Sequence, residues 1–320
     1  MKRVAALLAA VLLAVAWGGC GGGGAEPGAS KDATLILDFQ PNAVHAGIYS
    51  ALRRGYYADE GVRLRVRQPS DSTDAPKLLR AGRAQFAILD IHDFGIAREK
   101  GFDIVAVAPI VQRPLAAVIA RDGTTIRSPK DLTGRRVGVT GLPSDDAVLD
   151  SVLAADGVAP KAVQRVTIGF NAVADLRAGK VDAATAFWNA EGVALRRAGV
   201  PTREFRVDDY GAPAYPELVL VTTRKLLNRE PALVDSLVSA TAHGYRDAAK
   251  DPAASLRDLT TSVRGLDPRL ERASLAGLRL AFAPAGQFKR DQLMAWSRWE
   301  IKHGILERQI EVSAAFRAAR

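Results

Sequence analysis

The sequence predicts an α/β fold of two lobes, each a mostly parallel sheet flanked by helices, with a helical C-terminal tail. Three observations carry that expectation. Short β-type runs alternate with helical segments from about residue 33 to residue 222, the pattern of βαβ units. Beyond residue 222 the strand-like runs stop, and Ala, Leu and Arg dominate to the end. The body, about 290 residues, exceeds what one core usually fills.

The chain opens on Met1-Lys2-Arg3, an apolar run over 4–17 and then Gly18-Gly19-Cys20. Charged, apolar and small-residue zones in that order read as a signal peptide over 1–19. The apolar run falls short of the roughly 20 residues a membrane helix needs. Cys20, the one cysteine in the chain, stands where lipoprotein processing acylates, and the reading is a lipid anchor that holds an extracytoplasmic body at the cell membrane. Trp17 replaces the usual Leu, so an ordinary signal peptide and an uncleaved anchor are the alternatives, and both leave the body outside the cytoplasm. Residues 20–32, rich in Gly, read as a flexible tether.

In the body, 34–37, 62–66 and 85–89 read as strands, with helices over 46–54 and 75–81 between them. Val62-Arg63-Leu64-Arg65-Val66 has the strict alternation of a half-buried strand. The near-continuous apolar run 104–111 reads as a fully buried one. Further strands are expected at 115–120, 136–139, 163–168, 183–186 and 218–222, and helices at 145–155, 172–178 and 190–198. From Glu230 only helices are expected, broken at Asp251-Pro252, Asp267-Pro268 and Ala283-Pro284. The lobes are expected to comprise 33–113 with 222–320, and 114–221, with crossings near 112–115 and 216–221. Ligands of such clamps sit between the lobes, where strand ends and helix N-termini supply unpaired N–H groups.

Composition narrows the function. Formal net charge is +9, but acids are interspersed with the Lys and Arg and no arginine-rich block exists, which argues against nucleic acid. With one cysteine there is no disulfide, so a core must hold the fold; the hydrophobic content of 48% is ordinary for a globular protein that has one. Catalytic signatures are scarce: no G-x-S-x-G, and His45, His92, His243 and His303 lack metal-ligand spacing. No enzyme activity, cofactor or metal is expected.

Four segments concentrate groups suited to binding. The first, 37–49, places Asp38, Phe39, Asn42, His45 and Tyr49 between the first strand and the first helix. Asp38 and Asn42 offer hydrogen bonds, Phe39 and Tyr49 offer ring faces, and His45 would be neutral and donate from one nitrogen. The same residues also suit a cap, a turn and a core. The second holds Trp188, Asn189 and Glu191 at a strand-to-helix junction, where the helix dipole favours the Glu191 anion. The third, 138–146, offers Ser144 as ligand contact or N-cap, and its glycines are spaced wrongly for a nucleotide loop. The fourth, 209–218, holds Tyr210 and Tyr215 stiffened by Pro213 and Pro216. His92 and Asp93, after the third strand, form a weaker candidate pair.

These blocks carry a resemblance. Leu37-Asp38-Phe39-Gln40-Pro41-Asn42 with His45, Gly47 and Tyr49, then Gly55-Tyr56-Tyr57 and Glu60-Gly61, resembles the opening of ABC-transporter binding proteins for thiamine pyrimidine precursors, a family shared with the yeast-type pyrimidine synthase. Phe187-Trp188-Asn189-Ala190-Glu191-Gly192 and the stretch 210–218 look like two further blocks. The resemblance implies a type II periplasmic-binding-protein fold that captures an aminopyrimidine, of the formylaminopyrimidine or hydroxymethylpyrimidine type, and delivers it to an ABC permease in the membrane. It further implies rings from Phe39, Trp188 and Tyr210 around the ligand, with Asp38, Asn42 and Glu191 reading its edges. Phe39 stands where the family commonly has Trp. Related branches bind riboflavin, sulfonates or nitrate. The synthase branch implies a cytosolic, metal-assisted, cysteine-rich site, against which the leader and the single cysteine count.

Overall fold

The computed structural model describes residues 30–71, 73–121, 125–282 and 286–317. The signal sequence, Cys20 and most of the expected tether lie outside the described residues, as does the break at Ala283-Pro284.

The strands in chain order are β1 (Lys31–Ile36), β2 (Val62–Arg67), β3 (Phe86–Asp90), β4 (Ile104–Val111), β5 (Ala116–Arg121), β6 (Arg136–Val139), β7 (Gln164–Thr167), β8 (Ala183–Phe187), β9 (Thr202–Arg206) and β10 (Leu218–Thr223). They form two five-stranded sheets of the same plan, ordered β2-β1-β3-β10-β4 and β7-β6-β8-β5-β9. In the first, β1 is parallel to β2 and β3, and β10 runs antiparallel between β3 and β4. In the second, β6 is parallel to β7 and β8, and β5 runs antiparallel between β8 and β9. Each sheet thus takes its antiparallel strand from chain that has just crossed over from the other. Two α/β lobes with a helical C-terminal region are what the sequence pattern anticipates.

Alternation along the strands feeds two hydrophobic clusters. Leu35 and Leu37 enter one and Ile36 the other, and likewise Ala117 and Ile119 oppose Ala116 and Val118. Both clusters run through both sheets, so the lobes share their packing. The helix Pro231–Lys250 lies against Ala46–Arg53, and only hydrogen fits where they touch. A Cβ at Gly244 would sit 2.0 Å from the Gly47 carbonyl oxygen, and one at Gly47 would sit 2.5 Å from the Tyr245 ring.

Some boundaries differ from expectation. The tether was expected to reach residue 32, yet Lys31 and Asp32 already belong to β1. Both are exposed, and Asp32 Oδ1 accepts from Arg63 Nε on β2 at 2.8 Å, so hydrophobic patterning is silent about them. β9, the helix Ile91–Glu99 and the turn Tyr56–Asp59 are elements the patterning did not mark. In β9 only Phe205 is buried, so an edge strand reads as a polar loop.

The crossings are tied to each other by one carboxylate. Chain leaves the first sheet after Val111, enters the second at Ala116, and rejoins the first at Leu218. Glu217 Oε2 accepts from the N–H groups of Leu115 and Ala116, and the Glu217 carbonyl accepts from Ile91 N–H at 2.9 Å. Burial pushes the Glu217 carboxyl up to about 7.

Candidate ligand-binding cleft

The carboxyl ends of β1, β3, β6 and β8 converge on a cavity between the two sheets, as expected for open α/β sheets. It measures about 1030 Å³ including its open mouth, at the upper end of ordinary ligand pockets. Five of its lining side chains are carboxylic acids: Asp38, Asp90, Asp93, Asp145 and Glu191. No Lys, Arg or His lines it among the described residues.

Asp38 follows β1 and is held by its own loop. Asn42 caps the short turn Ala43–His45: its Oδ1 accepts from Val44 N–H at 2.9 Å, and its Nδ2 donates to the Gln40 carbonyl at 3.1 Å. His45 Nδ1 accepts from Asn42 N–H at 3.2 Å, so that nitrogen carries no proton. The proton is therefore on Nε2, which donates to Asp38 Oδ1 at 2.9 Å. A fully buried neutral histidine thus orients the Asp38 carboxylate from behind without reaching the cavity.

From the second sheet come Asp145 and Glu191, each in the first turn of a helix. Asp145 Oδ2 accepts from Thr140 N–H at 2.7 Å and from the Thr185 hydroxyl at 2.8 Å, while burial raises its pKa. Glu191 Oε2 accepts from Phe187 N–H at 3.1 Å, and burial pushes this carboxyl up to about 7. Asp93, which burial raises to about 6, completes the wall beside Ser144. Phe39 from the first lobe and Phe170 from the second meet edge to face, centroids 4.5 Å apart, and their rings close one end of the cavity.

Of the ten residues singled out from sequence, Asp38, Phe39, Asn42, Ser144 and Glu191 line the cavity, and His45 stands behind Asp38. Tyr49, Trp188, Asn189 and Tyr210 are not among its lining residues. Tyr49 is buried in the helix Ala46–Arg53, and burial pushes its phenol up to about 12. Trp188 is buried at the outgoing crossing, where Nε1 donates to the Pro114 carbonyl at 3.2 Å and the Arg206 and Arg113 guanidiniums lie 4.4 and 5.0 Å from the ring. Asn189 is fully buried, with no partner for its side-chain amide. Tyr210 packs edge-on against Phe205.

Asp90, Phe170 and Thr185 line the cavity outside the segments marked by the sequence, and Thr140, Asp145 and Phe187 lie inside those segments without having been chosen as contacts. Asp90 and Phe187 end their strands, Thr140 and Phe170 follow theirs closely, Asp145 opens a helix and Thr185 lies in mid-strand, so strand ends are only part of the signal. Asp90, His92 and Glu217 bring potential ligand atoms within 4.8 Å of one another. Yet His92 Nδ1 hydrogen-bonds Glu300 Oε1 at 2.5 Å and Nε2 hydrogen-bonds the Tyr215 hydroxyl at 3.1 Å, so both ring nitrogens are already engaged.

The NMT1/THI5-like family matches residues 42–255, which include the crossings and most of this cavity but not Asp38 and Phe39. The chain belongs to that family. Among curated members, the formylaminopyrimidine-binding protein of Halalkalibacterium halodurans is 28% identical over 291 residues, covering 88% of each chain. The 4-amino-5-hydroxymethyl-2-methylpyrimidine phosphate synthase of Legionella pneumophila is 24% identical and covers 68% of this chain and 70% of its own. Among solved structures, the alkanesulfonate-binding protein SsuA from Xanthomonas axonopodis pv. citri superposes with a TM-score of 0.74 at 18% identity, covering 90% of this chain and 98% of its own. The chain thus has the periplasmic-binding-protein fold.

Proposed function

We propose that this protein is the extracytoplasmic solute-binding lipoprotein of an ABC importer, anchored through Cys20, that captures a thiamine pyrimidine precursor of the formylaminopyrimidine or hydroxymethylpyrimidine type. Closure of the lobes 33–113 with 222–320 over 114–221 traps the ligand, and the closed form delivers it to the permease. The observation that carries the reading is the cavity itself: aromatic at one end and, among the described residues, lined by five carboxylic acids and by no basic side chain. A sulfonate or nitrate would meet uncompensated like charge there. An aminopyrimidine offers an exocyclic amine that donates and a ring nitrogen that accepts or carries a proton. A carboxyl held near neutrality matches that pair, because one proton shared between the Glu191 carboxyl and the ring satisfies both partners.

The 28%-identical relative is named for binding such a compound, which supports this choice within the family. The family's synthases are named for a pyrimidine phosphate, and among the described residues the cavity has no lining cation for a phosphate group. A binding role is therefore favoured over an enzymatic one. Phe39 and Phe170 supply the ring contacts in this reading, Asp38 and Glu191 the edge contacts, with His45 fixing Asp38. The test is calorimetric titration of hydroxymethylpyrimidine into wild type and Glu191→Gln. Loss of about tenfold or more in affinity, in a variant that still melts cooperatively as a folded protein, is expected, the effect of one charge-assisted hydrogen bond. Equal affinity would remove Glu191 from the site.

A further inference from the structure

Beyond the Phe39–Phe170 pair lies a second recess, about 560 Å³ with its mouth. It shares Phe39, Asn42, Phe170, Ala190 and Glu191 with the main cavity. Its outer wall comes from the helix Pro268–Leu278 of the C-terminal region, which contributes Leu270, Glu271 and Ser274. Glu271 is 96% buried from its relative exposure of 4%, and its Oε2 has no hydrogen-bond partner. A buried, unpartnered carboxylate oxygen is costly unless something arrives to meet it. Burial holds this carboxyl at about 7, although the Ala43 N–H beside it favours the anion. No Lys, Arg or His lines the recess among the described residues.

We propose that this recess is a second subsite, which takes a cationic or amine-bearing group attached to the pyrimidine held in the main cavity. The proposal rests on the reading of the main cavity as the pyrimidine site and extends the ligand class to two-part compounds. The connection between the two groups passes the Phe39–Phe170 contact, and Glu191, which faces both spaces, stands at the junction. A flat cation is favoured by the aromatic walls, by the Glu271 carboxylate and by the absence of competing positive charge in the lining. One oxygen of Glu271 then serves the Ala43 N–H and the other serves the ligand. The helix Pro268–Leu278 becomes part of the binding site rather than only a cover.

The probe is thiamine, an aminopyrimidine joined through one methylene to a cationic thiazolium ring, titrated calorimetrically into the full-length protein alongside hydroxymethylpyrimidine. The expected result is that thiamine binds wild type at least as tightly as the pyrimidine alone. Glu271→Gln should then weaken thiamine by about tenfold, the loss of one charged contact, and leave the pyrimidine within about threefold. Ala194→Phe, which fills the recess from the half-buried face of its helix, should produce the same selective loss. Melting curves verify that both variants are folded. Pyrimidine binding without thiamine binding overturns the subsite and leaves the main-cavity reading intact. Equal weakening of both ligands by Glu271→Gln, with no effect of Ala194→Phe, makes Glu271 a mere support for the Asn42 loop and also overturns it. Failure of both compounds to bind wild type removes the subsite together with the reading on which it rests.

Discussion

At the scale of single residues, the cleft is governed by where protons sit. Glu191 is held at about 7 by burial, against an ordinary value of 4.5. A carboxyl raised on folding binds more protons in the folded state than in the unfolded one, so its ionisation opposes folding. Its contribution is therefore lost as pH rises from about 4.5 through about 7. Glu191→Gln cannot ionise, and its melting temperature is expected to decline less than that of wild type between pH 5 and pH 7.5, a difference that scanning calorimetry at several pH values would detect. Parallel profiles would contradict the buried carboxyl. Asp38 and His45 show the limit of sequence reading at this scale. Their presence in the loop is evident, but that His45 acts from behind Asp38 depends on the Asn42 N–H capturing Nδ1, which is a three-dimensional fact. Trp188 lies under the crossing beside two arginines, a position that its place at a strand end does not reveal.

At the scale of elements, the strand ends were legible and the helices that close the site were not. Alternation placed β2 and the unbroken apolar run placed β4, because burial on one or both faces writes itself into the side-chain pattern. The helix Pro268–Leu278 carries no comparable mark of function, since its amphipathic pattern states only that one face is covered. The contact between Ala46–Arg53 and Pro231–Lys250 is more definite, because it tolerates no Cβ. Gly244→Ala drives a methyl into the Gly47 carbonyl, and the expected cost is about 3 kcal/mol, at the upper end of overpacking penalties because the obstacle is backbone. Urea denaturation would measure it. A midpoint unchanged from wild type would show that the two helices separate freely.

At the scale of the whole molecule, two sheets of one plan are joined at crossings that Glu217 ties together, and the C-terminal region is fixed to the first lobe by a buried His92–Glu300 pair. Burial opposes a charged His92, yet the Glu300 and Asp90 carboxylates outweigh it and raise its pKa to about 9. A histidine raised on folding contributes stability that is fully present below its unfolded value of about 6.5 and lost as pH rises through about 9. The melting temperature of wild type should therefore fall between pH 7 and pH 10, and His92→Gln should flatten that part of the profile. An unchanged alkaline slope in the variant would place the sensitivity elsewhere. The two-lobed plan was legible from the alternation of elements, whereas the pairing of residues 92 and 300 was not, because no local pattern connects groups so far apart in the chain.

In the proposed function, a cleft lined by acids and, among the described residues, by no cation selects an aminopyrimidine over a sulfonate or nitrate. Its most direct test is equilibrium titration of the purified protein with formylaminopyrimidine and, separately, with an alkanesulfonate. The pyrimidine is expected to bind with a dissociation constant of about 1 μM or tighter, some 8 kcal/mol, and the sulfonate not measurably. Tight binding of the sulfonate, with none of the pyrimidine, would contradict it.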